Sequence, residues 1–247
     1  WAIGVSGFVA MLYEVAWTRF LALAIGSSSN AFAVMLITFI TGLTIGAWII
    51  VRYPIRRRHM WWLALLEIGV GLSVAGTMCF YERFSYWFLV MTSWVARSEA
   101  NYPIYQLVRF TACFAVMIVP TIILGTTLPL VSRIATAELS KTGRSVGMVF
   151  SVNTIGTVLG AAATGLFLMP LLGLARTFAL GTGLNVAIGL LILARGRPEK
   201  FRLRLVQLGG LTAGWVVAAG AIFHHSWVEN LDIGHWRSAA APASFHE

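Results

Sequence analysis

The chain has 247 residues, 58% of them hydrophobic and only 11% charged, and its mean hydropathy is +0.81. A water-soluble domain averages about 25% charged residues, so this composition excludes an ordinary soluble fold. The net charge of +9 does not point to nucleic acid, because the basic residues sit in short loops between apolar runs and leave no basic face over.

A spanning helix needs about 20 apolar residues to cross roughly 30 Å of hydrocarbon. On that measure the apolar runs predict seven transmembrane helices, at 1–25, 31–51, 60–80, 105–132, 146–172, 175–194 and 205–224. The expected fold is an all-α polytopic membrane protein. Its helical domain covers 1–224, and an extramembrane tail at 225–247 reads as the start of a downstream domain. The opening at Trp1, already inside an apolar run, reads as lacking its true N-terminus.

The first span carries Glu14 and, five residues later, Arg19. Five residues turn a helix by roughly 140° past one full circle, so the two do not face each other. The connector at 26–30 is uncharged, whereas 52–59 holds Arg52, Arg56, Arg57 and Arg58. The third span carries Glu67. Residues 84–96 are apolar but too short to cross, and Tyr86, Trp87 and Trp94 favour the headgroup zone. They read as an amphipathic helix on the outer surface.

The fourth span begins near Arg109 and ends in PTIILGTTLPLVSR, with Pro120 and Pro129 inside it. Proline removes a backbone donor and tends to kink a helix. Thr121, Thr126 and Thr127 are placed to satisfy the freed carbonyls. Arg133, Lys141 and Arg144 follow, then SVNTIG with Asn153 in the fifth span. Basic residues recur at 195–204. Basic loops thus fall at every second connection, which places the start of the chain inside a bacterial-type cytoplasmic (inner) membrane and the tail outside.

Ionisable and polar groups within spans are costly in hydrocarbon, so Glu14, Arg19, Glu67, Arg109, Thr121 and Asn153 are the candidate intramembrane polar or ligand site. An internal Glu–Arg pair fixing helix register and a ligand or proton site are the two readings. Gly42 and Gly46, Gly156 and Gly160, and Gly210 and Gly214 are each spaced four apart. That spacing puts both glycines on one face, for helix packing or along a substrate passage. No metal site or soluble-enzyme motif is present, and His224 and His225 read as interfacial.

Phe32, Val34 and Gly42 match Phe150, Val152 and Gly160 in step. These spans run in opposite directions in the expected topology, as inverted three-plus-three repeats do in halves of major facilitator transporters.

Three segments in order resemble one family. SGFVAMLYEVAWTRFLALAIGSS (6–28), PTIILGTTLPLVSR (120–133) and VGMVFSVNTIGTVLGAAATGLFLMPLLGL (146–174) are similar to motifs of the membrane-bound spermidine-synthase-like proteins, the fused major-facilitator/spermidine-synthase group. The resemblance implies a first six spans like half of a major facilitator bundle. It also implies an aminopropyltransferase-like domain beyond Glu247, using decarboxylated S-adenosylmethionine and a polyamine. It carries no catalytic residue onto this chain. An outward tail conflicts with a cytoplasmic substrate: the downstream domain is exported, or it is inactive, or a span is miscounted. The alternatives to an anchoring domain are a transporter half and a structural subunit of a larger membrane complex. The partners expected are the lipid bilayer and other membrane proteins or further copies, without nucleic acid.

Overall fold

The computed structural model describes residues 1–25, 29–55, 57–93, 101–136, 142–195 and 209. The predicted seventh span lies outside the described residues except for Gly209, as do Gly210, Gly214, His224, His225 and the tail. Among the described residues every regular element is a helix and no strand forms.

The elements are α1 (Ala2–Ile25), α2 (Ser29–Arg52), α3 (His59–Ser93), α4 (Tyr102–Ala135), α5 (Thr142–Ala163), a π-helical turn (Thr164–Leu168) and α6 (Met169–Ala194). In hydrocarbon each backbone N–H and C=O must be satisfied within its own segment, which is what continuous helices achieve. Among the described residues four segments are long and apolar enough to cross a membrane: Phe32–Arg52, His59–Tyr81, Tyr102–Ala135 and Gly143–Ala194. The helix α1, 24 residues long, is also of spanning length and carries Glu14 and Arg19 within it.

The 52-residue segment Gly143–Ala194 would extend about 78 Å as one straight helix, more than twice the hydrocarbon thickness. Gly173 divides it. Its φ of 74° and ψ of 175° lie in a region that glycine alone adopts without strain. Beyond it the chain folds back. On α5, Gly156 meets Gly4 and Gly160 meets Phe8, so α5 runs parallel to α1. On α6, Asn185 meets Tyr13 and Phe178 meets Trp17, so α6 runs antiparallel to it. The expected division into spans at 146–172 and 175–194 falls at this glycine.

The expected surface helix at 84–96 is different in the structure. The helix α3 continues without a break to Ser93, and Phe84 and Phe88 on its extension are buried in the same core as Phe20. Its first part, His59–Tyr81, is long and apolar enough to cross.

Helix pairing has an exchange symmetry. The two most extensive parallel contacts are α2 with α4 and α1 with α5. Both are glycine crossings: Gly42 and Gly46 lie against Thr121, Ile122 and Gly125, while Gly156 lies against Gly4 and Gly160 against Phe8. Swapping the first three helices with the last three turns one crossing into the other. The same swap returns the α3–α6 pair to itself and exchanges the α3–α4 contact with α6–α1. All four glycines expected to sit on packing faces and lying within the described residues are buried at these crossings.

The core lines the inner face of α1: Val9, Leu12, Tyr13, Ala16, Trp17 and Phe20 are wholly buried. The exterior is equally apolar, with Ile37, Trp48, Leu72, Phe80, Val158 and Leu171 more than half exposed. A soluble monomer rarely exposes so much contiguous hydrocarbon, and such a belt suits lipid. Basic residues gather at one end of the bundle, where α1, α3 and α5 begin and α4 and α6 finish. Arg57, Arg58, Arg133, Arg144 and Arg195 are all exposed there.

The prolines leave α4 continuous. The threonines do not take the carbonyls that the prolines orphan, which are those of Val116 and Gly125. Thr121 Oγ1 donates to the Met117 carbonyl at 2.7 Å, Thr126 to Ile123 at 2.6 Å and Thr127 to Leu124 at 2.8 Å. Each hydroxyl is satisfied inside its own helix.

Candidate functional site

A line of polar side chains is sealed inside the bundle along α1, α3 and α6. Ser6, Tyr13 and Trp17 share one face of α1, since residues three, four or seven apart stack on a helix. Opposite them stand Glu67, Thr77 and Tyr81 of α3 and Thr182 and Asn185 of α6. Ser6, Tyr13, Trp17, Glu67, Tyr81, Thr182 and Asn185 are all buried, none more than 3% exposed.

Two hydrogen-bonded groups make up the line. At its outer end Trp17 Nε1 donates to the Tyr81 hydroxyl at 2.7 Å. The Thr77 and Tyr81 hydroxyls are bonded at 3.0 Å. Phe20 stacks on Tyr81 with ring centroids 4.3 Å apart, and Phe178 meets it edge-on at 5.3 Å. At the inner end Asn185 Nδ2 donates to the Tyr13 hydroxyl at 3.3 Å, and the Ser6 hydroxyl bonds to the Glu67 carboxyl.

The inner group is incompletely satisfied. Glu67 Oε2 and Asn185 Oδ1 are buried without a hydrogen-bond partner, while the Thr182 hydroxyl lies within reach of the Tyr13 hydroxyl, which also neighbours Glu67. Helix register brings these residues together. A Cβ on Gly71, one turn past Glu67, would lie 3.0 Å from the Thr182 carbonyl and 3.4 Å from Asn185 Cβ. One on Gly189, one turn past Asn185, would lie 2.6 Å from the Ala64 carbonyl and 2.5 Å from Ile68 Cγ1. Glu67 and Asn185 therefore lie at neighbouring levels of the paired helices, between these two close approaches.

Of the six expected site residues, Glu67 alone belongs to this group. Glu14 is half-buried with its carbonyl accepting from Thr18 at 2.8 Å, and Arg19 is exposed. Thr121 lies in the α2–α4 crossing, and the Asn153 carbonyl and side chain lie against Gly7 in the α1–α5 crossing. The Arg109 guanidinium sits 4.6 Å from the Tyr105 ring centroid. Glu67 and Arg109 lie far apart. Gly69 faces Ile123 across α3 and α4, and Arg109 is about 21 Å of helix rise from Ile123.

Ser6, Tyr13, Thr182 and Asn185 were absent from the residues expected at the site. Their usable signal was a polar group inside an apolar span, which Asn185 in GTGLNVAIGLL carries as plainly as Asn153 does. Close by, a cavity of about 320 Å³ opens at the basic end of the bundle. Ile3, Leu63 and Ile192 line it, one or two turns from Ser6, Glu67 and Asn185 on the same three helices, and Arg195 stands at its rim over the Trp1 ring.

Among the described residues no cluster of three or more His, Cys, Asp or Glu side chains could hold a metal ion. Compared with known proteins, the chain matches no family model, no curated protein and no solved structure.

Proposed function

We propose that this chain is the membrane-embedded domain of a spermidine-synthase-like protein, built like half of a major facilitator bundle and anchoring a downstream transferase-like domain. The observation that carries the reading is the pairing of two glycine crossings, α2 on α4 and α1 on α5. It is the packing expected of an inverted three-plus-three repeat. The ordered motifs at 6–28, 120–133 and 146–174 supply the family half of the proposal. The basic end formed by Arg57, Arg133, Arg144 and Arg195 supports a cytoplasmic-membrane location with the chain's start inside. Decarboxylated S-adenosylmethionine and a polyamine would be handled by the downstream domain, since no residue of the bundle resembles a transferase site.

The test is an aminopropyl-transfer assay on the full-length protein in lipid, with alkaline extraction of membranes carrying this chain alone. Transfer activity with the chain retained in the membrane is expected. Release of the chain by alkali would overturn the anchoring role. Absence of both transfer and nucleotide binding would overturn the family assignment.

A second reading, a transporter half working with another half or a second copy, is favoured by the same exchange symmetry and by the buried carboxyl of Glu67. Polyamine uptake into proteoliposomes by the native chain, lost in Glu67→Gln, would favour it. Equal uptake by native, Glu67→Gln and protein-free vesicles would remove it.

A further inference from the structure

We infer that Glu67, Thr182 and Asn185, completed by Ser6 and Tyr13, form a binding site for a dehydrated monovalent metal cation of sodium size. Three observations converge. All five side chains present oxygen, the donor type that hard cations take. Two of those oxygens, Glu67 Oε2 and Asn185 Oδ1, are buried without a partner on residues no more than 1% exposed, and the buried Thr182 hydroxyl lies in the same group with only the Tyr13 hydroxyl beside it. Such atoms are rare in folded proteins and call for an explanation.

Charge sets the valence. Glu67 is the one carboxyl in the group, and among the described residues it forms no ion pair. One negative charge in a low-dielectric interior is neutralised by one positive charge, whereas a divalent ion would leave an excess buried charge. Space sets the size. The flanking approaches of Gly71 to Thr182 and of Gly189 to Ala64 hold α3 and α6 so close that not even a methyl group fits at Gly189 without displacement. So close an approach leaves no room for a chain-bearing ammonium. The cavity bordered by Ile3, Leu63 and Ile192 lies on the same three helices, toward the basic end.

The site is independent of the anchoring role proposed above, and a cation could serve it by tying α1, α3 and α6 together. The experiment uses the full chain purified in detergent. Binding of radioactive sodium is measured by equilibrium dialysis, and Tm is followed by tryptophan fluorescence in sodium chloride against choline chloride at equal ionic strength. One saturable sodium per chain is expected, with Tm rising by about 2–6 °C at roughly ten times the dissociation constant. Glu67→Gln is expected to abolish saturable binding. Thr182→Val, which keeps the side-chain shape, is expected to weaken it by about 10-fold, the loss of one good ligand. No saturable sodium binding by the native chain would overturn the site. So would unchanged affinity in Thr182→Val, which decides the matter even if Glu67→Gln fails to fold.

Discussion

Trp17 and Tyr81, 64 positions apart, are joined by a 2.7 Å hydrogen bond from the indole Nε1–H to the phenol oxygen inside the bundle. The bond ties α1 to α3 where no water can replace it. Tyr81 is also stacked by Phe20 and met edge-on by Phe178, so one phenol is touched from α1 and α6 at once. Offset and edge-on aromatic pairs each add about 0.5–1.5 kcal/mol beyond their buried area.

Replacing Tyr81 with Phe keeps the ring contacts and removes the acceptor. The Trp17 Nε1–H is then left without its partner in the bundle interior, at a cost of about 1–3 kcal/mol. Trp17→Phe removes donor and indole together and leaves a cavity as well, so it is expected to cost more, about 2–4 kcal/mol. Unfolding titrations in mixed micelles, read by tryptophan fluorescence for the first and by circular dichroism for both, check the order. Equal stability of Tyr81→Phe and the native chain would show that the bond contributes nothing.

Glycines in this bundle divide by what surrounds them. A methyl group on Gly46, Gly156 or Gly160 would collide with the backbone of the facing helix, whereas one on Gly76 meets nothing within 4 Å. Gly156→Ala and Gly46→Ala are therefore expected to destabilise by about 1–3 kcal/mol, as overpacking does. Gly76→Ala should be neutral or stabilising by up to about 1 kcal/mol, because alanine is the better helix former. The same micelle titrations separate the two groups. Equal effects at Gly76 and Gly156 would mean that helix propensity, not close approach, governs these positions.

Much of this architecture could be read from the chain because hydrocarbon demands long apolar runs and glycine pairs mark close crossings. The extension of α3 past Tyr81 could not. Glu82 and Arg83 look like a connector, and only the core contacts of Phe84 and Phe88 reveal a continuing helix. Glu67 stood out as an intramembrane carboxyl. Its surroundings did not, since Tyr13 and Asn185 are 172 positions apart and meet only through the register of α1, α3 and α6. Glu14 and Arg19 drew notice by charge, but charge does not tell which way a residue faces on a helix whose whole surface is apolar.

Among the described residues Gly173 is the one glycine with a positive φ. A φ of 74° with a ψ of 175° costs an alanine about 1–3 kcal/mol, and asparagine, which tolerates left-handed helical angles, gains little because ψ is extended. Both Gly173→Ala and Gly173→Asn are thus expected to lower stability by similar amounts. Leu172→Ala, beside it but with ordinary angles, should cost less. Circular dichroism melts of the three variants in one detergent decide this. A Gly173→Asn protein as stable as the native one would show that the turn relaxes to a left-handed helical shape.

The clustering of exposed arginines at one end makes the sidedness of the bundle measurable. Arg57 precedes α3, Arg144 opens α5 and Tyr102 opens α4, all three exposed. Because α3 and α5 run parallel to α1 while α4 runs opposite, cysteines at 57 and 144 should share one face and a cysteine at 102 the other. Native Cys79 and Cys113 are first changed to Ser and Ala; Cys113 is buried in the core and Cys79 is on the outer face, so the background itself is checked for folding. Basic ends are retained on the cytoplasmic side, so an impermeant maleimide applied to intact cells should label position 102 and spare 57 and 144. Inside-out vesicles should reverse the pattern. Labelling of 57 and 102 from the same side would contradict the alternating passes of the helices. Clean labelling with both faces exchanged would keep the fold and invert the orientation.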